Sequence, residues 1–320
     1  SYEIFKLLTG TSTGSIISAG IATGLFGDEI HGLYCEMGPV IFKKTWRSSL
    51  WPLTRYRYPL EPLEEALEAQ MSGKVMGDFW FTGQPIDLVI PAFDLVENKT
   101  LFIKPFNQSK GYDQWPVVKA VLASSSVPSF FPPVENRYVD GGVGSYHNPC
   151  YVAAYEAKYV LGWDPAETTL ISLGTGREPH ALDPGQIRNF YPWHWISPVL
   201  GAFQESSDDQ QVHLVETFFP ELDFRRFQVD LDGSYPMDEP DKIPALTAFG
   251  EQLGEMIVSY SGNAPQRLKD FAQIEDGLAD FRELARFNGL PTVGIGILKV
   301  QDANTVAIVD EIKRRMKEEL

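Results

Sequence analysis

The feature that most constrains this chain is Gly10-Thr11-Ser12-Thr13-Gly14. It lies between an apolar run, Ile4 to Leu8, and a small-residue run through Ile16, Ile17, Ala19, Gly20, Ile21 and Ala22. G-x-S-x-G in that setting reads as strand, sharp turn, helix. A serine at the tip of a strained turn needs neighbours two residues away with almost no side chain. Bulk at Gly10 or Gly14 is expected to collide with the strand or the helix. The turn exposes the Ser12 hydroxyl and aims a helix N-terminus at it. Free N–H groups, that of Thr13 among them, then sit where negative charge would develop. The same five letters occur in ordinary loops, so a nucleophile needs a partner elsewhere in the chain.

The following residues supply candidates. Gly27 is expected to end the first helix and Asp28 to cap the next, where His31 reads as a surface or half-buried histidine. Trp46 to Leu60 mixes aromatic and basic residues without period and reads as a loop. It is either an interfacial, lipid-contacting flap or aromatic packing against the domain. Residues 60–71 form an amphipathic helix, with Leu60, Leu63, Leu67 and Met71 on one face and glutamates on the other. Residues 86–93 read as a buried strand, 99–105 as a second strand, and 115–123 as a helix. The helix runs into a proline-fixed, aromatic loop at 124–133. Tyr138 and Val139 then end a strand, with Asp140 at its carboxyl end and Gly141 and Gly142 next. In an open α/β sheet that is the crevice side, where ligands bind. An Asp-Gly turn is also common in its own right. What favours a site is that an aspartate at a glycine-freed turn can approach a strand-end serine closely.

A helix at 151–159 and a central strand at 169–176 follow. Residues 177–200 read as loop, with a second candidate interfacial patch at Phe190, Tyr191, Trp193, His194 and Trp195. Residues 198–219 read as helix, 225–231 as strand, and 244–260 and 264–287 as helices. A last strand at 295–300 and helix at 304–320 complete the chain.

Composition narrows the function. Across 320 residues, 43% hydrophobic content allows a sizeable core. A net charge of −16 argues against a nucleic-acid partner and against standing attachment to anionic lipid. Cys35 and Cys150 form neither a disulfide framework nor a metal spacing, and slightly favour a reduced, intracellular setting; a cytoplasmic localisation with transient membrane contact is the expectation. Neither repeats nor a linker stand out, so one domain over 1–320, non-diagnostic from about 177 onward, is the simplest organisation.

Taken together, GTSTG at 10–14, ASSSVPSFFPPV at 123–134, YVDGG at 138–142, NP at 148–149 and ISLGTG at 171–176 resemble the patatin-like phospholipase family of bacterial type. The resemblance implies an α/β fold: a mostly parallel central sheet flanked by helices in a three-layer sandwich, with a helical C-terminal part. It implies a Ser-Asp dyad, with Ser12 as nucleophile and Asp140 as general base, supported by Gly141 and Gly142 of the DGG motif. It further implies acyl-ester hydrolysis of phospholipids or other lipid esters through an acyl-enzyme. No metal or cofactor is required, peripheral membrane contact is allowed, and so is homo-oligomerisation. The family also carries a glycine-rich D-G-G-G-x-[KR]-G oxyanion loop before the elbow. No such run precedes Ser12 here, and the expectation is that it lies upstream of Ser1.

Two other readings remain. One is an esterase with a Ser-His-Asp triad, using His147, His180, His194 or His213 as base. The other is a catalytically impaired patatin-like module that binds lipid or a partner.

Overall fold

The computed structural model describes residues 5–51, 53–71, 73–80, 85–106, 110–179, 184–189, 191, 196–255, 257–261, 264–267, 285–287 and 290–292. The chain divides into two compact units, residues 1–277 and 278–320. In the second, the described residues form a short antiparallel pair, β9 (Ala285–Phe287) with β10 (Leu290–Thr292).

The first unit is built around β2 (Asp87–Asp94), whose run of Leu88, Val89, Ile90 and Ala92 is fully buried. Along one edge of β2, β1 (Leu7–Thr9) pairs parallel with the first half, Leu7 opposite Asp87 and Thr9 opposite Val89. On the same edge β4 (Tyr138–Asp140) pairs antiparallel with the second half, Asp140 opposite Ala92. β3 (Lys99–Ile103) covers the other edge, antiparallel. β1 and β4 therefore run toward each other and stop short, with Ile90 and Pro91 of β2 in the gap. Proline carries no N–H, so β2 tolerates it where no strand continues the ladder on that edge.

The α/β class and central sheet match expectation, but the pairing is mixed where a mostly parallel sheet was expected. The cause is local. A tight turn at Val96 to Asn98 folds β3 straight back on β2, with Asp94 accepting the N–H groups of Val96 and Glu97. Arg137 clamps that turn through Asp94 at 2.7 Å, which holds the Asp94 carboxyl below its ordinary pKa.

Helices cover the sheet. α1 (Thr13–Thr23) leaves the end of β1 and stops at Gly24, left-handed at φ 100°, with Leu25 N–H reaching back to Gly20 O. The first helix thus ends at Gly24, and Gly27 opens α2 (Gly27–Ile41), whose N-cap is Phe26, not Asp28. α3 (Trp46–Ser49) is one turn inside the expected loop. α4 (Glu61–Met71) buries Leu63, Ala66, Leu67 and Met71, as its period predicts. α5 (Val117–Ser125) is almost wholly buried and extends through Ser124 and Ser125, beyond the expected end at 123. α1, α2, α4 and α5 share one core with Leu88, Ile90, Leu101 and Ile103.

Beyond β4 come α6 (Cys150–Tyr155), a π-helical turn at 156–160, β5 (Thr169–Leu173), α7 (Pro184–Ile187) and α8 (Ile196–Phe218). β6 (Asp223–Phe227) follows. β5 is not a central strand: among the described residues it pairs only with β6, in parallel, and Thr169, Ile171 and Leu173 are exposed. α9 (Ile243–Gly254) is shorter than expected, and β7 (Ile257–Ser261) and β8 (Ala264–Arg267) form an antiparallel pair where helix was expected. The expected strand at 295–300 and helix at 304–320 lie outside the described residues, as do Phe190, Trp193, His194 and Trp195.

One buried charge cluster makes the fold pH-sensitive. Asp87 and Glu156 are each 1% exposed, and Lys104 pairs with Glu156. Neither Asp87 oxygen makes a hydrogen bond of ordinary geometry among the described residues. Burial first, then the neighbouring Glu156 charge, push the Asp87 carboxyl well above its ordinary range, while Lys104 pulls it back. With the folded value above the unfolded one, the folded state binds the extra proton. Stability is full below the unfolded pKa and is lost as pH rises through the folded one. Urea midpoints measured from mildly acidic to mildly alkaline pH are expected to fall, and Asp87→Asn to flatten that slope.

Candidate active site

β1 ends at Thr9 and the chain turns at once. Ser12 sits at φ 55°, ψ −127°, a left-handed conformation that costs a non-glycine residue about 1–3 kcal/mol and persists only where its surroundings fix it. Those surroundings are specific. Ser124 Oγ accepts the Ser12 N–H at 3.1 Å and itself donates to Pro91 O at 2.6 Å. Ser15 and Ser125 hydroxyls both donate to Ser12 O, at 2.6 and 3.1 Å. Thr11 Oγ1 donates to Tyr146 O, and Tyr34 OH donates to Thr13 O at 2.9 Å. The strained residue thus has both backbone groups held by serines.

The two elbow glycines differ. A Cβ at Gly10 would lie 2.0 Å from Gly14 O, an impossible contact with fixed backbone. A Cβ at Gly14 would meet nothing beyond its own helix. The expected collision is therefore real at Gly10 and absent at Gly14. Thr13 N–H, one of the helix-start donors without an intrahelical acceptor, makes no hydrogen bond among the described residues.

Asp140, 5% exposed, arrives at the same gap from β4. Its Oδ1 accepts the Gly142 N–H at 2.7 Å and caps the short turn Gly141–Gly144. A Cβ at Gly141 would lie 2.5 Å from Pro91 O, so glycine there is what lets the turn pass β2. At Gly142 a Cβ would press on Asp140 Oδ1 at 3.0 Å. Oδ2 is buried and forms no hydrogen bond of ordinary geometry among the described residues. Burial raises the Asp140 pKa; the Ser12 hydroxyl is the strongest influence holding it back, ahead of the Gly142 N–H and His147. Ser12 and Asp140 are neighbours across the gap, not yet joined by a well-formed bond.

His147 lies beside the Gly142 turn and is paired with α8. Its Nδ1 lies 3.3 Å from Asp208 Oδ1 on α8, and that carboxylate, against burial, raises the imidazole pKa. α8 also grips the DGG turn through Ser207 Oγ and Gln211 Nε2, both donating to Ser145 O. His213 lies on α8 beside Thr217, while His180 and His194 are outside the described residues.

Beside Ser12 opens a pocket of about 590 Å³ of atom-free space, its mouth included. Ser12, Thr13 and Ser125 form its head, and Ile16, Leu33, Met37, Phe42, Leu67 and Phe131 are among its walls. Among the described residues no charged side chain lines it. The serine run 124–126 and Tyr34 are the site residues that the sequence reading missed. Three consecutive serines at the end of an apolar helix were the available signal.

Residues 2–154 match the patatin-like phospholipase family, and residues 242–319 match the AcrB/AcrD/AcrF family. The chain is 26% identical over 299 residues to a cGAMP-activated phospholipase of Vibrio cholerae, covering 85% of this chain and 84% of that protein. It is 28% identical over 200 residues to a cGAMP-activated phospholipase of Escherichia coli, covering 58% and 54%. A 63-residue stretch is 40% identical to the multidrug resistance protein MdtC of Edwardsiella ictaluri, covering 20% of this chain and 6% of that protein. Among the described residues no helix is long and apolar enough to cross a membrane.

The elbow geometry yields a paired test. Gly10→Ala is expected to cost several kcal/mol, on the order of the larger single-site losses, because only backbone could move aside. Gly14→Ala is expected to be neutral or to stabilise by up to about 1 kcal/mol through helix propensity. Thermal unfolding of the two variants checks the contrast.

Proposed function

We propose that this chain, whose residues 2–154 match the patatin-like phospholipase family, hydrolyses the carboxylic esters of phospholipids or related lipids through Ser12 and Asp140. The observation that carries the reading is the buried, unbonded Oδ2 of Asp140 beside the Ser12 hydroxyl. In the proposed reaction Ser12 Oγ attacks the ester carbonyl as Asp140 takes its proton. The proton passes to the leaving alcohol and an acyl-enzyme remains. Asp140 then removes a proton from water as that water attacks the acyl carbonyl, and returns the proton to Ser12 Oγ as the Oγ–acyl bond breaks and the fatty acid leaves. Thr13 N–H, free at the helix start, supplies one donor to the oxyanion. The charge-free pocket suits an acyl chain and excludes a phosphate head group, which stays outside.

A buried carboxylate with a raised pKa is a stronger base than an ordinary one, but it must be ionised to act. The His-dependent alternative lacks its central contact: among the described residues no hydrogen bond joins His147 to Ser12, although the Nδ1 contact with Asp208 is one a triad base would also make. Activation by a cyclic dinucleotide comes to this chain only from the names of its relatives. Adding cGAMP to the assay tests it, with a rise in rate as the supporting result.

Ser12→Ala and Asp140→Asn are each expected to lower kcat/KM on a soluble ester by about a thousandfold or more, with unfolding unchanged. Wild-type kcat/KM is expected to rise with pH through a value above the ordinary aspartate range. A rate that survives Asp140→Asn but is lost in His147→Ala would transfer the base to the histidine.

A further inference from the structure

Residues 42–60 reverse the character of the chain around them. Between Glu36 and Glu61 there is no acidic residue and there are five cations, Lys43, Lys44, Arg47, Arg55 and Arg57, in a chain of net charge −16. Arg57 is engaged: it pairs with Asp238 at 3.1 Å and stacks between Trp51 and Phe130. The other four make no ion pair among the described residues. The same segment exposes large apolar groups: Leu53 at 88%, Trp46 at 66% and Leu50 at 50%. Scattered exposed apolar residues are ordinary, but a cluster of this kind interleaved with unpaired cations is not.

The segment is held in place and adjoins the pocket. At its start Phe42 packs edge-on against Tyr58, ring centroids 5.3 Å apart, and at its end Arg57 and Tyr58 N–H groups bond to Ser129 O and Phe130 O. Phe42 and Phe131 are pocket walls. Between these anchors Thr54 Oγ1 bonds to Arg47 O, and the Arg47 guanidinium lies over the Trp46 and Tyr56 rings. The projecting residues therefore lie on a segment whose two ends are anchored beside the cavity walls Phe42 and Phe131.

We infer that residues 43–57 are a docking face for an anionic lipid bilayer. Trp46, Leu50 and Leu53 enter the boundary between head groups and acyl chains, where indole and leucyl groups are favoured. Lys43, Lys44, Arg47 and Arg55 meet the negative surface, which attracts a nearby Lys or Arg about fivefold each. The bilayer is the occupant argued for because the face offers both halves of what an interface presents, apolar depth and negative charge. The overall −16 opposes adsorption, but charges more than a Debye length from the surface, about 8–10 Å at physiological salt, are largely screened. This inference does not depend on the chemistry at Ser12. It adds to the proposed hydrolase the means by which a lipid reaches the pocket.

The test is flotation of the full chain with vesicles of phosphatidylcholine alone and of phosphatidylcholine with phosphatidylglycerol. Binding to the anionic vesicles, and its loss at about 1 M salt, where screening shortens to about 3 Å, are expected. Arg47→Glu with Arg55→Glu is expected to weaken that binding at least about tenfold, and Arg47→Lys with Arg55→Lys to retain it. Trp46→Ala with Leu53→Ala is expected to weaken it too. Hydrolysis of a soluble short-chain ester is expected to be unchanged in all three. Equal flotation of wild type and charge-reversal variant, or equal binding to neutral vesicles at any salt, overturns the inference. So does a fall in oligomeric mass in the Trp46→Ala, Leu53→Ala variant without any vesicle binding by wild type, which would assign the face to a second copy. A chain that floats as expected but cleaves no ester contradicts the hydrolase reading alone.

Discussion

Ser12 is held in a backbone conformation that it would not adopt alone, and the surrounding site is arranged to keep it there. Its φ of 55° makes the turn sharp enough to end β1 and begin α1 within three residues. The strain of about 1–3 kcal/mol is offset by hydrogen bonds from residues more than a hundred positions away. Ser124 takes its N–H, and Ser125 joins Ser15 on its carbonyl. α5 is thus more than a core helix. Its last turn fixes the elbow, and Ser126 O next to it accepts the Asp140 N–H at 3.1 Å. One short serine run positions both residues of the proposed dyad.

β2 supplies the other half of that arrangement. Because β1 and β4 share one edge of it and approach end to end, the residues just past both strand ends meet over Ile90 and Pro91. Pro91 O receives Ser124 and lies against Gly141, so the same carbonyl braces the elbow and the aspartate turn. A larger residue at 141 would push that turn away from the serine. The DGG motif is accordingly a clearance requirement at both glycines, against Pro91 O at the first and against Asp140 Oδ1 at the second.

Much of this was legible in the sequence. Periodicity placed α4 and the long α8, and apolar runs placed β2 and β3. The small-residue run after Ser12 gave α1. Residue type and position singled out Ser12 and Asp140, and the structure brings them to one gap. Other features depend on tertiary partners that no local pattern records. Ser124 and Ser125 read as loop formers but are held in helix by bonds to Ser12 and Pro91. The short β1 and β4 owe their direction to β2, so their mixed pairing is invisible to periodicity. β5 reads as a central strand because TLISL is apolar, yet three of its five side chains face outward. Gly14 was expected to be sterically required, and its surroundings are open. Net charge averages over 320 residues, whereas the basic, aromatic run at 46–60 was legible locally as either a lipid-contacting flap or aromatic packing.

The central claim is that Ser12 is a nucleophile activated by Asp140. The most direct measurement is reaction of the full chain with a fluorophosphonate, followed by peptide mass mapping. The account predicts a single phosphonyl adduct on Ser12, formed far more slowly in Asp140→Asn. An unmodified Ser12 in folded protein, or labelling at an undiminished rate without the Asp140 carboxylate, would contradict it.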